Sequence, residues 1–230
     1  MGHHGKQYRD ASQKNNLLTK YPPSEAFKIL STFPRKKFDE TVDIACRLGI
    51  DPSKSDQMVR GTVVLPNGTG KSVRVAVFAK GEKQAEATEA GADAVGGDDL
   101  IQKVSGGWLE FDRAIATPDM MGSVSKIGKV LGPKGLMPNP KLGTVTFDIG
   151  KAVKEQKAGK IEFRSDKEGN LHAILGKASF GPEKLVGNFN AFVEAVLRAK
   201  PASSKGVFLQ GVTVSTTMSP GIKIDIGSPV

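Results

Sequence analysis

The sequence predicts an α/β chain: an α+β domain assembled from both ends, interrupted by an inserted α/β domain. Three observations lead there. Strands with a single apolar face occur before residue 66 and again after residue 159. Between them, short apolar strands alternate with helical stretches, the mark of a parallel sheet layered with helices. Neither end segment is large enough for a good core alone, so residues 1–67 and 160–230 are expected to form one domain around an insertion at 68–159.

Taken in order, Pro22-Pro23-Ser24-Glu25 opens a helix, with Ser24 as N-cap and Phe27, Leu30 and Phe33 recurring every third residue. Val42, Ile44, Cys46 and Leu48 then alternate with Thr41, Asp43, Ala45 and Arg47, a strand with one buried face. Cys46 shares the apolar parity, which places it in the core. Gly61 to Leu65 reads as a second strand. In the insertion, Val73, Val75 and Val77 form a strand, Glu82–Ala90 and Asp98–Val104 are helices, Arg113–Thr117 is a strand, and a helix begins after Pro118. From Gly159 the pattern reverts to hairpins, with Lys160–Arg164 and Leu171–Leu175 flanking the turn Asp166-Lys167-Glu168-Gly169-Asn170. Pro182 starts a long helix with the apolar stripe Leu185, Phe189, Phe192, Val196 and Leu197, and the strands Val207–Ser215 and Ile222–Ile226 close the chain.

Composition narrows the partners. Thirty-three Lys and Arg against 24 Asp and Glu give a net charge of +9, which points to an anionic partner. The excess is +4 over residues 1–68, +2 over 69–159 and +3 over 160–230, so the two ends carry most of it. Two Tyr and one Trp argue against an aromatic stacking platform. Folded RNA, gripped through phosphates and shape, suits the composition better. No apolar run approaches the ~18 residues of a membrane span, and MGHHGKQYRD lacks the apolar core of a secretory signal. A single cysteine excludes an internal disulfide and a multi-cysteine zinc site. A cytoplasmic protein, monomeric when free and without membrane, metal or cofactor, is the expectation.

Catalytic devices are absent or incomplete. Asn67-Gly68-Thr69-Gly70-Lys71-Ser72 ends like a nucleotide-binding loop, yet the first glycine of that pattern would fall at Leu65. The residues after Ser72 alternate as a strand, so no helix N-terminus is offered to phosphate. Pro66–Gly70 reads instead as a hinge between domains, with Gly68 and Gly70 on one crossing and Gly159, at 158–160, on the other. His3 and His4 in a polar arm and His172 in a strand are too scattered for a metal site. A nucleotide hydrolase using Lys71 is therefore the weaker alternative. The segment 118–143 stands out more: five glycines and four prolines among Lys126, Lys129, Lys134 and Lys141, with Asp119 its single acid. A stiff basic loop can offer amides and ammonium groups to phosphates with little ordering cost.

That loop, from Met121-Gly122-Ser123 through Gly132-Pro133-Lys134-Gly135-Leu136-Met137-Pro138-Asn139-Pro140-Lys141, closely resembles the signature of the universal L-one family of large-subunit ribosomal proteins. The resemblance extends to Lys37-Phe38-Asp39-Glu40-Thr41, Ser55-Asp56-Gln57-Met58-Val59-Arg60-Gly61-Thr62, Gly176-Lys177-Ala178-Ser179-Phe180 and Thr216-Thr217-Met218. It covers essentially the whole chain, in order, and the bacterial form fits best. Ser125 and Ser219 depart from it, standing where glycine is usual.

The resemblance implies a split first domain carrying the main ribosomal-RNA contact and a Rossmann-like second domain inserted through two hinge strands. It also implies a place in the mobile stalk beside the tRNA exit site, help in releasing deacylated tRNA, and translational repression of the protein's own mRNA. Carried over residue by residue, it points to Lys37, Phe38 and Thr41 on one side of the RNA site and Thr216, Thr217 and Met218 on the other, flanked by Arg164, Lys167, His172 and Lys177. The cations would neutralise phosphates, the threonine hydroxyls would meet backbone and 2′-OH groups, and Phe38 and Met218 would supply apolar contact. Lys126, Lys129, Lys134 and Lys141 form an expected second contact to RNA or exit-site tRNA. An mRNA regulator without stable ribosomal residence is the other alternative.

Overall fold

The computed structural model describes residues 5–14, 16, 18–34 and 37–227. His3 and His4 lie outside them. The chain divides into two compact units: the described residues through Gly70 join those from Ile161 onward, and Lys71–Lys160 forms the second. In chain order the elements are α1 (Lys6–Lys14), β1 (Lys20–Tyr21), α2 (Pro23–Thr32), β2 (Thr41–Leu48) and β3 (Arg60–Val64). The second unit holds β4 (Val75–Phe78), α3 (Glu82–Glu89), β5 (Ala94–Gly96), α4 (Asp98–Ser105), β6 (Arg113–Ala116), α5 (Met121–Lys126), α6 (Gly128–Leu131) and α7 (Ile149–Lys157). The chain returns through β7 (Lys160–Arg164), β8 (Asn170–Lys177), α8 (Pro182–Arg198), β9 (Leu209–Thr216) and β10 (Ile222–Ile224).

The first unit is built on a five-stranded sheet in the order β1-β10-β9-β2-β8. Only β1 and β10 run parallel. β2, from the first segment, lies between two strands from the second, so neither segment can complete the sheet alone. The apolar parity of β2 (Val42, Ile44, Cys46, Leu48) faces α2 and α8 in one core. On α8, Leu185, Phe189, Phe192 and Val196 are buried, each contributing roughly 1.5–3 kcal/mol by removal from water. Phe163 and Phe192 meet edge to face at 5.6 Å, and Phe27 and Phe189 at 5.8 Å. Leu197, expected in the stripe, is 41% exposed: it neighbours Val196 around the helix and turns away from the sheet.

Two further expectations are corrected. Ser24 does not cap α2. Pro22 is the N-cap and Pro23 occupies the first turn, where its fixed φ and missing N–H cost nothing. The segments β7 and β8 do not form a hairpin either. Asp166 closes the turn, its Oδ1 accepting from the amides of Glu168 (2.9 Å) and Asn170 (2.7 Å). Only one bridge, Ser165↔Leu171, follows before the strands part, β7 to pair with β3 and β8 with β2. The periodicity of the sequence does not mark the short elements α1, β1 and β5 or the helix α7.

In the second unit three parallel strands run β5-β4-β6, extended by a parallel bridge from Ala116 to Val145. All four residues of the central β4 are buried, the continuous apolar run of a strand covered on both faces. Ala76 and Phe78 pack with residues of α4, α5 and α6; Val75 and Val77 pack with residues of α3 and α7. The helix foreseen after Pro118 is a 3-10 turn (Pro118–Met120) followed by α5 and α6. No helix among the described residues is long and apolar enough to cross a membrane.

Candidate nucleic-acid interface

At one end of the five-stranded sheet, β2 begins at Thr41 and β9 ends at Thr216. The backbone there is tied by side chains. Thr217 N donates to Thr41 O (3.1 Å), and Thr41 N donates to Thr217 Oγ1 (3.2 Å). Beneath them lies Glu40, 5% exposed, whose Oε2 accepts from Thr216 Oγ1 at 2.6 Å and from Met218 N at 3.1 Å. Asp39 receives Ser179 twice, N at 3.1 Å and Oγ at 2.7 Å. Lys177 Nζ bridges Asp39 O (3.3 Å) and Thr41 Oγ1 (3.0 Å). Three distant stretches, 37–41, 177–179 and 216–219, are thereby fixed in one corner.

The corner exposes apolar, hydroxyl and cationic groups together. Phe38 and Met218 are 54% and 53% exposed, so ordinary core packing is not their role. Thr217 and Lys37 are also exposed. The hydroxyl of Thr216 is different: it is buried and donates inward to Glu40, so it supports the loop from below. A cleft of ≈ 330 Å³ lined in part by Phe33, Phe38, Val42 and Leu185 opens beside it. At Ser219, where glycine is usual, the hydroxyl accepts from Thr216 N (2.9 Å) and donates to Pro220 O (3.1 Å), closing the turn. Its backbone needs no positive φ, and no described non-glycine residue has one. Ser125 likewise turns its hydroxyl onto the helix, to Met121 O at 2.7 Å.

Of the ten expected RNA-binding residues, six gather at this corner: Lys37, Phe38, Thr41, Lys177, Thr217 and Met218, with Thr216 as their support. Arg164 and Lys167 do not. The ladder of β2 with β8 runs from Thr41↔Lys177 to Arg47↔Asn170, six residues or roughly 20 Å along a strand. Lys167 and Arg164 flank the turn at its far end, both exposed. His172 stands between the two groups on the uncovered face, 3.9 Å from Asp166 Oδ2. Burial raises the carboxyl of Asp43, close to the corner, while Lys177 and His172 pull it down. Glu40 is the residue that sequence reasoning missed as a working part. Its signal was an acid placed between two exposed motif residues and the first alternating strand.

The stretch that ends in Gly-Lys-Ser enters β4 without a helix. Lys71 Nζ donates to Asp112 Oδ1 at 2.7 Å, and Arg74 N and Nε donate to Asp112 Oδ2 at 3.2 and 3.3 Å. This holds the Asp112 carboxyl down to about 2, with the Lys71 hydrogen bond as the largest cause. On the preceding side, fully buried Asn188 accepts from Asn67 N (3.0 Å) and donates to Gly68 O (3.0 Å). Its amide also donates to Leu175 O at 2.6 Å. Leu175 is the extra residue of a bulge between Val42 and Asp43, so Asn188 satisfies a carbonyl the ladder leaves unpaired. Gly70, at φ +74°, lies so close to Phe180 that a Cβ would come within 2.9 Å of the ring. Gly159 also has positive φ, +96°.

In the second unit Lys126, Lys129, Lys134 and Lys141 are all exposed on the segment 121–141. Asn139 tightens this segment, accepting from Lys141 N through Oδ1 (2.9 Å) and donating its own N–H to Thr144 Oγ1 (2.7 Å). No cluster of metal-ligating side chains occurs among the described residues.

Residues 30–220 match the model of the ribosomal protein L1p/L10e family. A protein of Solidesulfovibrio magneticus named large ribosomal subunit protein uL1 is 61% identical over 228 residues, 99% of this chain and 97% of its own. Proteins of the same name from Syntrophobacter fumaroxidans (59% over 225 residues, 98% and 96%) and a Nocardioides species (61% over 220 residues, 96% and 92%) are similarly close.

Proposed function

The chain belongs to the ribosomal protein L1p/L10e family, a constituent of the large subunit of the cytoplasmic ribosome in bacteria, and on that premise we propose that its two-segment unit binds the ribosomal RNA of the stalk. The observation that carries this is the corner itself. Exposed Phe38 and Met218 stand beside Thr217 on a backbone immobilised by a buried carboxylate. A surface held rigid before binding loses little entropy on contact, and exposed apolar groups beside cations suit a close-approaching RNA backbone.

Further parts of the reading rest on the same family. The stalk protein assists release of deacylated tRNA from the exit site and represses its own mRNA through a similar RNA structure. Lys126, Lys129, Lys134 and Lys141 are a second contact for RNA or tRNA. The crossings near Gly68, Gly70 and Gly159 act as hinges. Since Asn188 holds Gly68 and Asp112 holds Lys71, the first pivot is Thr69 and Gly70. The chain is no nucleotide hydrolase: a fluorescent ATP or GTP analogue should show no saturable binding.

The test is binding of the purified protein to a stalk ribosomal-RNA fragment and to an unrelated hairpin at physiological salt. A nanomolar preference for the fragment is expected, lost on Thr217→Val or Phe38→Ala with folding intact. Equal affinity for both RNAs would remove the proposal.

A further inference from the structure

Asn67-Gly68 is the one Asn-Gly pair in the chain; every other asparagine precedes proline or a residue with a side chain. Such a pair carries its own chemistry. Once the glycine nitrogen gives up its proton it can attack Cγ of the asparagine, since the glycine has no side chain to obstruct the approach. The bond between Gly68 N and Asn67 Cγ forms, the Cγ–Nδ2 bond breaks, and ammonia leaves with the proton. The resulting succinimide takes up one water and opens to aspartate or, at its other carbonyl, to isoaspartate. Only water is consumed and nothing is oxidised or reduced.

The fold sets this pair at the last turn before the first unit ends at Gly70 and ties it down with four hydrogen bonds. Gly68 N donates to Leu65 O at 3.0 Å, closing a turn in which Gly68 takes a φ of +66°. The turn therefore favours glycine, and the same missing side chain leaves its nitrogen unobstructed. The Asn67 side chain is exposed and lies against α8, with Nδ2 donating to Lys184 O at 3.0 Å. Gly187 makes room for it, since a Cβ there would stand 3.2 Å from Asn67 Nδ2. Asn188 completes the clamp, accepting from Asn67 N and donating to Gly68 O, both at 3.0 Å. The two groups that must meet, Asn67 Cγ and Gly68 N, are thus each held by a neighbour, while water reaches the side chain that would react.

We propose that Asn67 is a site of spontaneous deamidation, and that Lys184, Gly187 and Asn188 of α8 guard it so that the reaction runs when this turn is released. The product cannot return to the clamp. A carboxylate at position 67 has no proton to donate to the Lys184 carbonyl and repels it instead. Isoaspartate also adds one carbon to the backbone between Asn67 N and Gly68 O, the two groups that a single Asn188 amide spans. The modification thus detaches the chain from α8 just before it leaves the first unit. It records, covalently, how long a copy has spent unlatched. The inference stands apart from the RNA-binding reading and does not depend on it.

The experiment ages the full chain at about pH 8 and follows Asn67 by peptide mass and by labelling with an isoaspartyl methyltransferase. Four proteins are compared: native wild type, wild type unfolded in guanidinium chloride, Asn188→Ala and Gly187→Ala. Each hydrogen bond that must open first slows the reaction by a factor of about two to ten. Native wild type should therefore react at least about tenfold more slowly than the unfolded chain, and Asn188→Ala, which removes two of the four bonds, should recover about tenfold. Gly187→Ala keeps Asn188, favours the helix and presses on Asn67 Nδ2, so it should accelerate the reaction with no loss of resistance to urea. The isoaspartate form, separated from aged wild type, should exchange its Gly68 amide hydrogen faster than fresh protein. Isoaspartate absent from Asn67 in the unfolded chain would overturn the site. Equal rates in native wild type and both variants, or native wild type as fast as the unfolded chain, would overturn the guard.

Discussion

Asn188→Ala isolates a single side chain that serves three backbone groups. Two of its partners, Asn67 N and Gly68 O, are near solvent and can rehydrate, so their loss costs about 1 kcal/mol together. The third, Leu175 O, is the unpaired carbonyl of the bulge, and leaving it buried without a donor costs about 1–3 kcal/mol. The total is about 2–4 kcal/mol, and it should fall on the first unit. The chain provides a spectroscopic separation: its one tryptophan, Trp108, packs in the second unit. In urea, the far-UV circular dichroism transition of the first unit should move to lower denaturant while the Trp108 fluorescence transition stays in place. Hydrogen exchange at the Asn67 amide should accelerate as well. Undiminished protection at Asn67, or equal shifts in both signals, would refute the role given to Asn188.

Glu40→Ala should destabilise the first unit by about 2–4 kcal/mol in urea titrations, because the buried Thr216 hydroxyl and the Met218 amide both lose an acceptor; it should weaken RNA binding without touching RNA. Asp112 has a folded pKa lowered to about 2 from 3.8, so its stabilising contribution is full above about pH 4 and disappears as pH falls toward 2. The stability gap between wild type and Asp112→Asn, read from Trp108, should follow that window and be flat at neutral pH. Burial pushes the Cys46 thiol up to about 12, so native protein should resist a thiol reagent at pH 8 and react fully once unfolded.

What the sequence revealed divides along physical lines. Period-2 alternation marked β2 to the residue, because a sheet with one covered face demands it. The stripe on α8 was equally plain, apart from Leu197, whose hydrophobicity said nothing about which side of the seam it occupied. Partner choice was not legible. β7 and β8 look like a hairpin because the turn chemistry of Asp166–Asn170 is genuine, and only long-range pairing with β3 and β2 decides otherwise. The corner residues were named one by one from motifs, but their separation from Arg164 and Lys167 follows from register. Inward-facing polar groups were the hardest to read: Glu40 and Asn188 resemble surface residues in sequence and act from the core.

The position of β2 between β8 and β9 has a consequence for how the molecule is made. Residues 71–160 are contiguous, so the second unit can close its parallel sheet while later codons are still being read. The first unit cannot. Until Thr216 and Met218 have left the translating machinery, β2 lacks both neighbours and Glu40 has nothing to hold. A copy cut short before Thr216 would carry a folded insert and an unfinished first unit, without the corner to which RNA binding is assigned by proposal.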